Sequence, residues 1–370
     1  MRYLLLFITG LSLLLVTGCI IQFIPEIDED KSIIVVEGLI TDQYHTYKIK
    51  VSTSLPLGRI LVPKPVRGCK VSITDENGIN YSLKESSPGT YITDSTIFCG
   101  QVYNRYTLTI QTKNRTYVSN TMEMKPVPLI DSVYYEKIII DESNEYGIPV
   151  EGCQIYIDSH DPLKECFYYR WNFNETWEFH LPFSVPNRVC WKSNNSDKIF
   201  IKNTSIYNQA RVSKFPINFI SNETDRLVIN YSILVNQYSL NEDEYIYWEK
   251  VKNVSENVGG LYDVTPMSIP SNIHCLEDPD EPVLGYFSVS AMTQNRIFIK
   301  DIFSGNPNFY AYCPGDTIFG LGPITGLNAY LWLLEDHTDY PPIYRIITGY
   351  HECADCRMQG TNIKPPFWID

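Results

Sequence analysis

The chain has few histidines and none of the short motifs by which common enzymes are recognised. Its six histidines, at positions 45, 160, 180, 274, 337 and 351, are scattered along 370 residues. It has no Gly-x-Ser-x-Gly elbow, no His-Glu-x-x-His pair, no phosphate loop and no dinucleotide fingerprint. These absences remove the usual sequence signs of an enzyme, and no catalytic residue or cofactor is predicted. Carboxylates are numerous, so a hydrolase with an acidic site that no motif marks stays open as an alternative.

Basic residues are also scarce. Lys and Arg total 30 against 43 Asp and Glu, which gives a net charge of -13 and a pI near 5.0. Nucleic-acid binding needs a basic surface, so no nucleic-acid partner is expected. The same balance argues against electrostatic docking on anionic lipid. No segment after the N-terminus has 18 consecutive apolar residues, so no later membrane span is predicted.

The apolar run at the N-terminus ends in a cysteine, and this ending is the most informative feature of the chain. Arg2 precedes the apolar Leu4–Ile8, and Thr17-Gly18 leads directly to Cys19. A basic start, an apolar core too short to cross a bilayer and small residues before a cleavage point are typical of a secretory signal. A cysteine in the next position is typical of a bacterial lipobox. We expect a lipoprotein signal peptide at residues 1–18, lipid attachment at Cys19 and a lipidated tether over residues 19–31. A secretory signal with a chance cysteine is the alternative.

Aromatic and β-branched residues dominate the rest of the chain and predict an all-β protein. There are 27 Tyr, 16 Phe and 6 Trp. Ile33–Ile40 is a short apolar run typical of a buried strand. Asp75-Glu76-Asn77-Gly78 separates two alternating segments and predicts a hairpin turn. About seven such strands, with turns every 8 to 12 residues, predict an immunoglobulin-like β-sandwich over residues 32–125.

The remainder, residues 126–370, is predicted to be a larger β-rich second domain with one main helix. Pro126 and Pro128 stiffen the boundary. Asn241 is expected to cap the helix, with Glu244 completing a capping box, and Gly259-Gly260 to end it. We expect the helix to pack on a sheet through its aromatic stripe; an aromatic stripe that faces a ligand is the alternative.

Nine cysteines remain once Cys19 is set aside, and an exported protein meets an oxidising compartment. Nine is odd, so at least one thiol is expected to stay free or to pair between chains. Cys353 and Cys356 near the C-terminus form a single Cys-x-x-Cys beside His351. No second pair supplies the remaining zinc ligands, so we expect disulfides at Cys353 and Cys356 and no metal site.

Several segments resemble one bacterial family. They are Val36–Asp42, Pro65–Gly68, Ile130–Tyr135, Tyr169–Trp171, Glu175–Glu178, Asp278–Phe287 and Cys353–Trp368. Together and in this order they are similar to the Bacteroidota lipoproteins grouped as domain of unknown function 4249. The resemblance implies an outer-membrane lipoprotein encoded beside a TonB-dependent receptor, without catalytic residues to carry over. Cys69 and Cys99 depart from the family pattern, and this pair of departures implies a Cys69–Cys99 disulfide.

Three functions are therefore weighed. The leading hypothesis is a non-catalytic outer-membrane lipoprotein that is the accessory or binding partner of a TonB-dependent nutrient receptor. Acidic residues at Glu26 and Asp28–Asp30, soon after the anchor, favour display on the cell surface. The tyrosine-rich composition suits a glycan or peptide ligand. The alternatives are a surface adhesin or structural module, and the hydrolase with an unmarked acidic site.

Overall fold

The computed structural model describes residues 33–54, 63–140, 150–206, 210–256, 269, 271–301, 303, 313, 315–322, 331–339 and 341–369. The predicted signal peptide, Cys19 and the tether lie outside these residues. Within them the chain is built from strands, with one α-helix, which confirms the all-β prediction.

The elements follow the chain in this order. The strands are β1 Ile33–Ile40, β2 Lys48–Ser54, β3 Lys64–Pro65, β4 Lys70–Asp75, β5 Asn80–Ser82, β6 Lys84–Ser87, β7 Thr90–Ile92, β8 Arg105–Gln111, β9 Thr116–Ser119, β10 Met122–Glu123, β11 Ile130–Ile140, β12 Val150–His160, β13 Tyr168–His180, β14 Val189–Asn195, β15 Phe200–Asn203, β16 Arg211–Ser221, β17 Asn230–Ser239, β18 Ile273–Cys275, β19 Val283–Val289, β20 Met292–Ile299, β21 Asp316–Phe319, β22 Trp332–His337 and β23 Tyr344–Thr348. The helix, α1, spans Glu242–Glu256. Short 3-10 turns lie at Asp225–Leu227, His351–Cys353 and Cys356–Met358.

Two sheets form the first β-sandwich. One has the order β19-β1-β2-β7-β6 and the other β18-β9-β8-β4-β5, with β3 and β10 attached at their sides. Side chains alternate across each strand, so that Val71 and Ile73 of β4 and Leu108 and Ile110 of β8 point into one shared core. The predicted hairpin is confirmed, because β4 pairs with β5 and Gly78 has a positive φ of 79° in the turn.

The first sandwich is not contiguous in sequence, and here the predicted boundary between residues 32–125 and 126–370 is wrong. The strand β19 pairs in parallel with β1, with Val36 opposite Gly285, and β18 pairs with β9. Phe287 and Cys275 are buried in the first core. Residues 273–289 thus belong to the first body. The strands are short, and their sequences, Ile-His-Cys and Val-Leu-Gly-Tyr-Phe-Ser-Val, carry no sign of which sheet they join.

The second body is another pair of packed sheets. β11-β12-β16 forms one sheet, and β14-β13-β17-β20 forms the other, with β15 also paired to β13. Their shared core contains Trp171, Ile155, Ile233 and Val235, all 1% exposed or less. β20 follows β19 after two residues, so one short step of chain links the two sandwiches.

The helix lies where predicted, but its cap differs from the prediction. The side-chain amide of Asn241 donates to the carbonyl of Glu123 at 2.9 Å instead of capping the first turn. Glu244 does not reach back to Asn241 but turns into the protein and is fully buried. The helix packs against β13, where the rings of Tyr168 and Tyr245 lie 5.3 Å apart. The predicted stop at Gly259-Gly260 lies outside the described residues.

Two disulfides fix the C-terminal segment. Cys356 bonds to Cys190 of β14, and Cys353 bonds to Cys313, so both predicted cysteines are oxidised but not to each other. Beside them, β21, β23 and β22 form a small sheet, and Leu334 of β22 joins the core around Cys190 and Cys356.

The predicted Cys69–Cys99 disulfide is not formed. Both residues are free thiols in the structure. The Cys69 sulfur faces the carbonyl of Val66 at 3.8 Å, whereas the Cys99 sulfur faces that of Asp42 at 3.3 Å. The two sulfurs contact different backbone carbonyls. The departure of both residues from the family pattern was therefore not a sign that they pair.

Replacing Gly285 tests the return of β19 to the first sandwich. Gly285 has a φ of +90°, and a Cβ atom there would lie 2.0 Å from the carbonyl oxygen of Val36. We expect Gly285→Ala to lower the free energy of unfolding by about 3 kcal/mol or more, measured by chemical denaturation. Gly349→Ala is the control, because nothing lies within 4 Å of its Cβ position. Equal stability of the two variants would contradict the parallel pairing.

Candidate functional site: an amide-lined cleft

The central strand β13 has one apolar and one polar face. Trp171 and Phe173 point into the second core, whereas Arg170, Asn172 and Asn174 alternate with them and point to the opposite side of the sheet. Cross-strand neighbours share a face, so this side also carries Asn195, Asn236, Gln294 and Arg296. Aromatic and amide residues thus alternate along β13, so that the aromatic side chains face the core and the amides form a polar surface on the other side of the sheet.

A cleft of about 350 Å³ opens on this polar face. It lies where the edge of β13 changes partner, because β15 pairs with Tyr168–Trp171 and β14 with Asn174–His180. Residues 196–199 connect β14 to β15 at this point, and the backbone N–H of Ser196 donates to the carbonyl of Phe173 at 2.9 Å. The polar residues that line this amide cleft are Arg170, Asn172, Asn174, Asn195, Ser196, Asp197, Lys198 and Asn236.

Hydrogen bonds orient the amides of the cleft. Asn236 donates to the side-chain oxygen of Asn172 at 2.8 Å, and Asn174 donates to that of Asn195 at 3.0 Å. Each amide offers two donors and an acceptor oxygen with two lone pairs. The paired asparagines therefore keep capacity for further hydrogen bonds while their orientation is fixed.

Aromatic groups cover the polar face at both ends of the cleft. At one end the guanidinium of Arg170 lies 4.3 Å from the ring of Trp248 and 4.9 Å from that of Tyr238. At the other, Phe367 lies 3.5 Å from the guanidinium of Arg296, and Trp368 donates to Glu178 at 3.1 Å. The helix and the C-terminal segment thus leave the amide rows open between them.

Glu244 lies buried behind Arg170, where the helix meets β19. One of its carboxylate oxygens accepts from the indole N–H of Trp248 at 3.2 Å, and Ser288 is a second hydrogen-bond partner. The other oxygen, the Nε of Arg170 and the hydroxyl of Tyr286 are buried without a hydrogen-bond partner. Burial raises the pKa of Glu244 to about 7 and lowers the pKa of Arg170.

Another buried carboxylate, that of Glu175, lies between the sheets of the second sandwich. It accepts from the hydroxyl of Tyr231 at 2.7 Å and pairs with Arg226 at 3.2 Å. Burial and the neighbouring carboxylate raise the pKa of Tyr231. Because Glu175 is 3% exposed and paired, it holds the sheets together and does not line the cleft.

A second pocket, of about 360 Å³, lies at the boundary between the sandwiches. Prolines and leucines form much of its lining, and His160 pairs with Asp131 at 2.7 Å at its rim. It brings together fewer hydrogen-bonding side chains than the amide cleft, which is therefore the stronger candidate for a polar ligand.

Sequence reasoning did not find the amide cleft. It singled out Cys19, which lies outside the described residues, and Cys353 and Cys356, which anchor the tail. The alternation of Arg170, Asn172 and Asn174 with aromatic residues could have marked a polar sheet face. The contributions of Asn195 and Asn236 depend on strand register, which the sequence does not display.

The described residues contain no group of three or more His, Cys, Asp or Glu side chains that could hold a metal ion. Nor does any helix in this part of the chain have the length and apolar character needed to cross a membrane.

The comparison with protein families identifies the chain. The sequence model of the family described as "Domain of unknown function (DUF4249)" matches residues 21–296, which is more than half of the chain. The chain therefore belongs to this family, as the resemblance predicted. The matched range includes every residue that lines the amide cleft, whereas the tail Cys353–Trp368 lies beyond it. No curated protein matches the sequence.

The buried carboxyl group of Glu244 should make stability depend on pH. Its pKa is about 7 in the folded protein against an ordinary 4.5, so its charged form destabilises the fold as pH rises through this range. Glu244→Gln cannot ionise, and we expect it to be more stable than the parent at pH 8, by up to about 3 kcal/mol, with the difference shrinking to about 1 kcal/mol or less at pH 5.

The measurement is chemical denaturation at pH 5, 6, 7 and 8. Glu249→Gln, at an exposed position of the same helix, is the control and should change the free energy of unfolding by less than about 0.5 kcal/mol. Parallel curves for the parent and Glu244→Gln across this range would show that Glu244 is not buried as a carboxylate.

Proposed function

We propose that this member of the domain of unknown function 4249 family is a non-catalytic, lipid-anchored outer-membrane protein that binds a glycan. In this proposal it acts beside a TonB-dependent nutrient receptor and faces the cell exterior. The observation that carries the ligand-binding part is the amide cleft, an open polar site on a rigid sheet, with side chains already oriented by hydrogen bonds.

The two disulfides support export from the cytoplasm. Disulfides persist in oxidising compartments and are rare in the bacterial cytosol. Cys190–Cys356 closes a loop of 166 residues and Cys313–Cys353 one of 40, so both constrain distant parts of the chain. Export agrees with the predicted signal peptide and with the proposed lipid attachment at Cys19, on which membrane retention would depend.

The chemistry of the cleft supports a glycan. Sugar hydroxyls both donate and accept hydrogen bonds, and an asparagine amide offers both functions side by side. Asn172, Asn174, Asn195 and Asn236 present four such amides along neighbouring strands. A peptide would favour apolar pockets for alternate side chains, which this polar lining does not supply.

The state of the buried acids supports a binding role over a hydrolase. Glu175 is engaged by Tyr231 and Arg226, and Glu244 lies behind Arg170 rather than in the cleft. A retaining or inverting glycosidase needs two carboxylates that face the substrate. Asp197 is the single carboxylate among the residues that line the amide cleft. Release of product from a glycan by the purified protein would overturn this choice.

Lipid attachment predicts a simple change in location. Cys19→Ser removes the acceptor thiol, so we expect a folded protein that no longer sediments with the outer membrane in fractionated cells. Cys99→Ser is the matched control, since Cys99 is a free thiol in the first sandwich. Unchanged membrane retention of Cys19→Ser would contradict the anchor.

The amides of the cleft should determine glycan binding. The double variant Asn172→Ala and Asn236→Ala removes a pair of cleft amides, and we expect at least about a tenfold loss of affinity for any glycan that the parent retains on an oligosaccharide array. Asn80→Ala, an exposed asparagine of β5, is the control. If the double variant binds glycans as tightly as the parent, the amide cleft is not the glycan-binding site.

Cross-linking in intact outer membranes tests the receptor partner. Recovery of a TonB-dependent receptor with the parent protein is expected. If cells that lack the protein instead lose surface attachment while growth on every glycan is unchanged, the adhesin alternative replaces this proposal.

A further inference from the structure

The amide cleft is a cationic site on an acidic protein. Arg170 and Lys198 line it, against one carboxylate from Asp197, while the whole chain carries a net charge of -13. A local excess of positive charge is therefore a property of the cleft and not of the surface in general. Such a site attracts an anionic group, although the net negative charge of the whole protein repels anions.

Arg170 has no close ionic partner. It takes part in none of the ion pairs within 4.0 Å among the described residues, although both Trp248 and Tyr238 stack on its guanidinium. Its Nε is buried without a hydrogen-bond partner. A desolvated cation without an ionic partner is unfavourable, so the site gains when a ligand brings a negative charge close to the guanidinium.

Glu244 compensates this charge only in part. It acts on Arg170 electrostatically, but no direct ion pair joins them. Its own burial opposes ionisation near neutral pH. Arg170 is thus held rigidly by two rings, remains half-buried at the cleft, and keeps an unsatisfied donor.

We propose that the amide cleft selects glycans that bear a carboxylate, with Arg170 as the specificity-determining residue. The planar guanidinium suits a carboxylate, which it can bind through two N–H donors. The amides of Asn172, Asn174 and Asn236 would then bind the hydroxyls of the same or a neighbouring sugar. This inference rests on the proposed glycan-binding function and narrows it to acidic sugars.

A matched pair of ligands tests the inference with the purified, lipidated protein in detergent. Oligogalacturonide and the same oligomer methyl-esterified differ only at the carboxyl groups, which the ester makes neutral and enlarges by one methyl group each. By isothermal titration at low salt we expect the acid form to bind roughly tenfold more tightly. Arg170→Met should bring the two affinities to within about twofold, whereas Arg211→Met, an exposed arginine on β16, should preserve the preference.

A second variant guards against a folding defect in Arg170→Met. Glu244→Gln removes the internal competing charge, so at pH 8 it should raise the affinity for the acid form several-fold, and that for the ester by less. A preference unchanged by both Arg170→Met and Glu244→Gln would overturn the role of Arg170.

The remaining outcomes separate the two levels of the proposal. Equal binding of acid and ester by the parent overturns the acidic-sugar inference and leaves the glycan-binding function intact. If the parent binds neutral glycans but neither the acid nor the ester form of oligogalacturonide, the acidic-sugar inference is likewise overturned and the glycan-binding function is left intact. Tighter binding of a sulfated oligomer or of an acidic peptide than of oligogalacturonide also overturns the inference. Failure to bind any glycan overturns both.

Discussion

The step from β19 to β20 is the constraint on which the rest of the structure depends. Ser290 and Ala291 join a strand of the first sandwich to a strand of the second, and both residues are buried. The hydroxyl of Ser239 donates to the carbonyl of Lys125 at 2.6 Å and accepts from the N–H of Ala291 at 3.1 Å. The side chain of Ser239 thereby ties the end of β17 both to Lys125, at the predicted domain boundary, and to the junction. The two bodies cannot separate without breaking strand pairing or exposing these groups.

This junction also places the helix. β17 ends at Ser239, α1 begins at Glu242, and the first turn of the helix carries Glu244 against Ser288 of β19. The ring of Tyr247 lies 4.6 Å from that of Tyr286, so the helix is packed on the first sandwich as well as on β13. Arg170 of β13 lies at this point between Trp248 of the helix and Tyr238 of β17. The cleft is therefore rigid at this end, because moving its arginine would disturb three packed elements.

Local features were predictable from the sequence, and long-range ones were not. The bounds of β1 and the hairpin at Gly78 follow from apolar runs and turn residues, which act over a few positions. The return of β18 and β19 depends on which exposed edge accepts a strand about 150 positions later for β18 and about 250 positions later for β19, which no local pattern encodes. The predicted cap of α1 was wrong for a related reason. Asn241 met a carbonyl of Glu123 that only the tertiary fold brings near.

The two ends of the cleft are stabilised in different ways, by aromatic rings at the helix end and by a disulfide and backbone hydrogen bonds at the tail end. At the helix end, aromatic rings shield a charged group whose burial is unfavourable by itself. At the tail end, Cys190–Cys356 and the backbone pair between Trp191 and Thr361 hold the C-terminal segment on β14. β14 leads directly into residues 196–199, which wall the cleft, so the disulfide also fixes that wall. An amide surface without such supports would reorient freely and lose the entropic advantage of a preformed site. The tail, which lies beyond the range matched by the family, thus completes a site whose lining residues all lie within it.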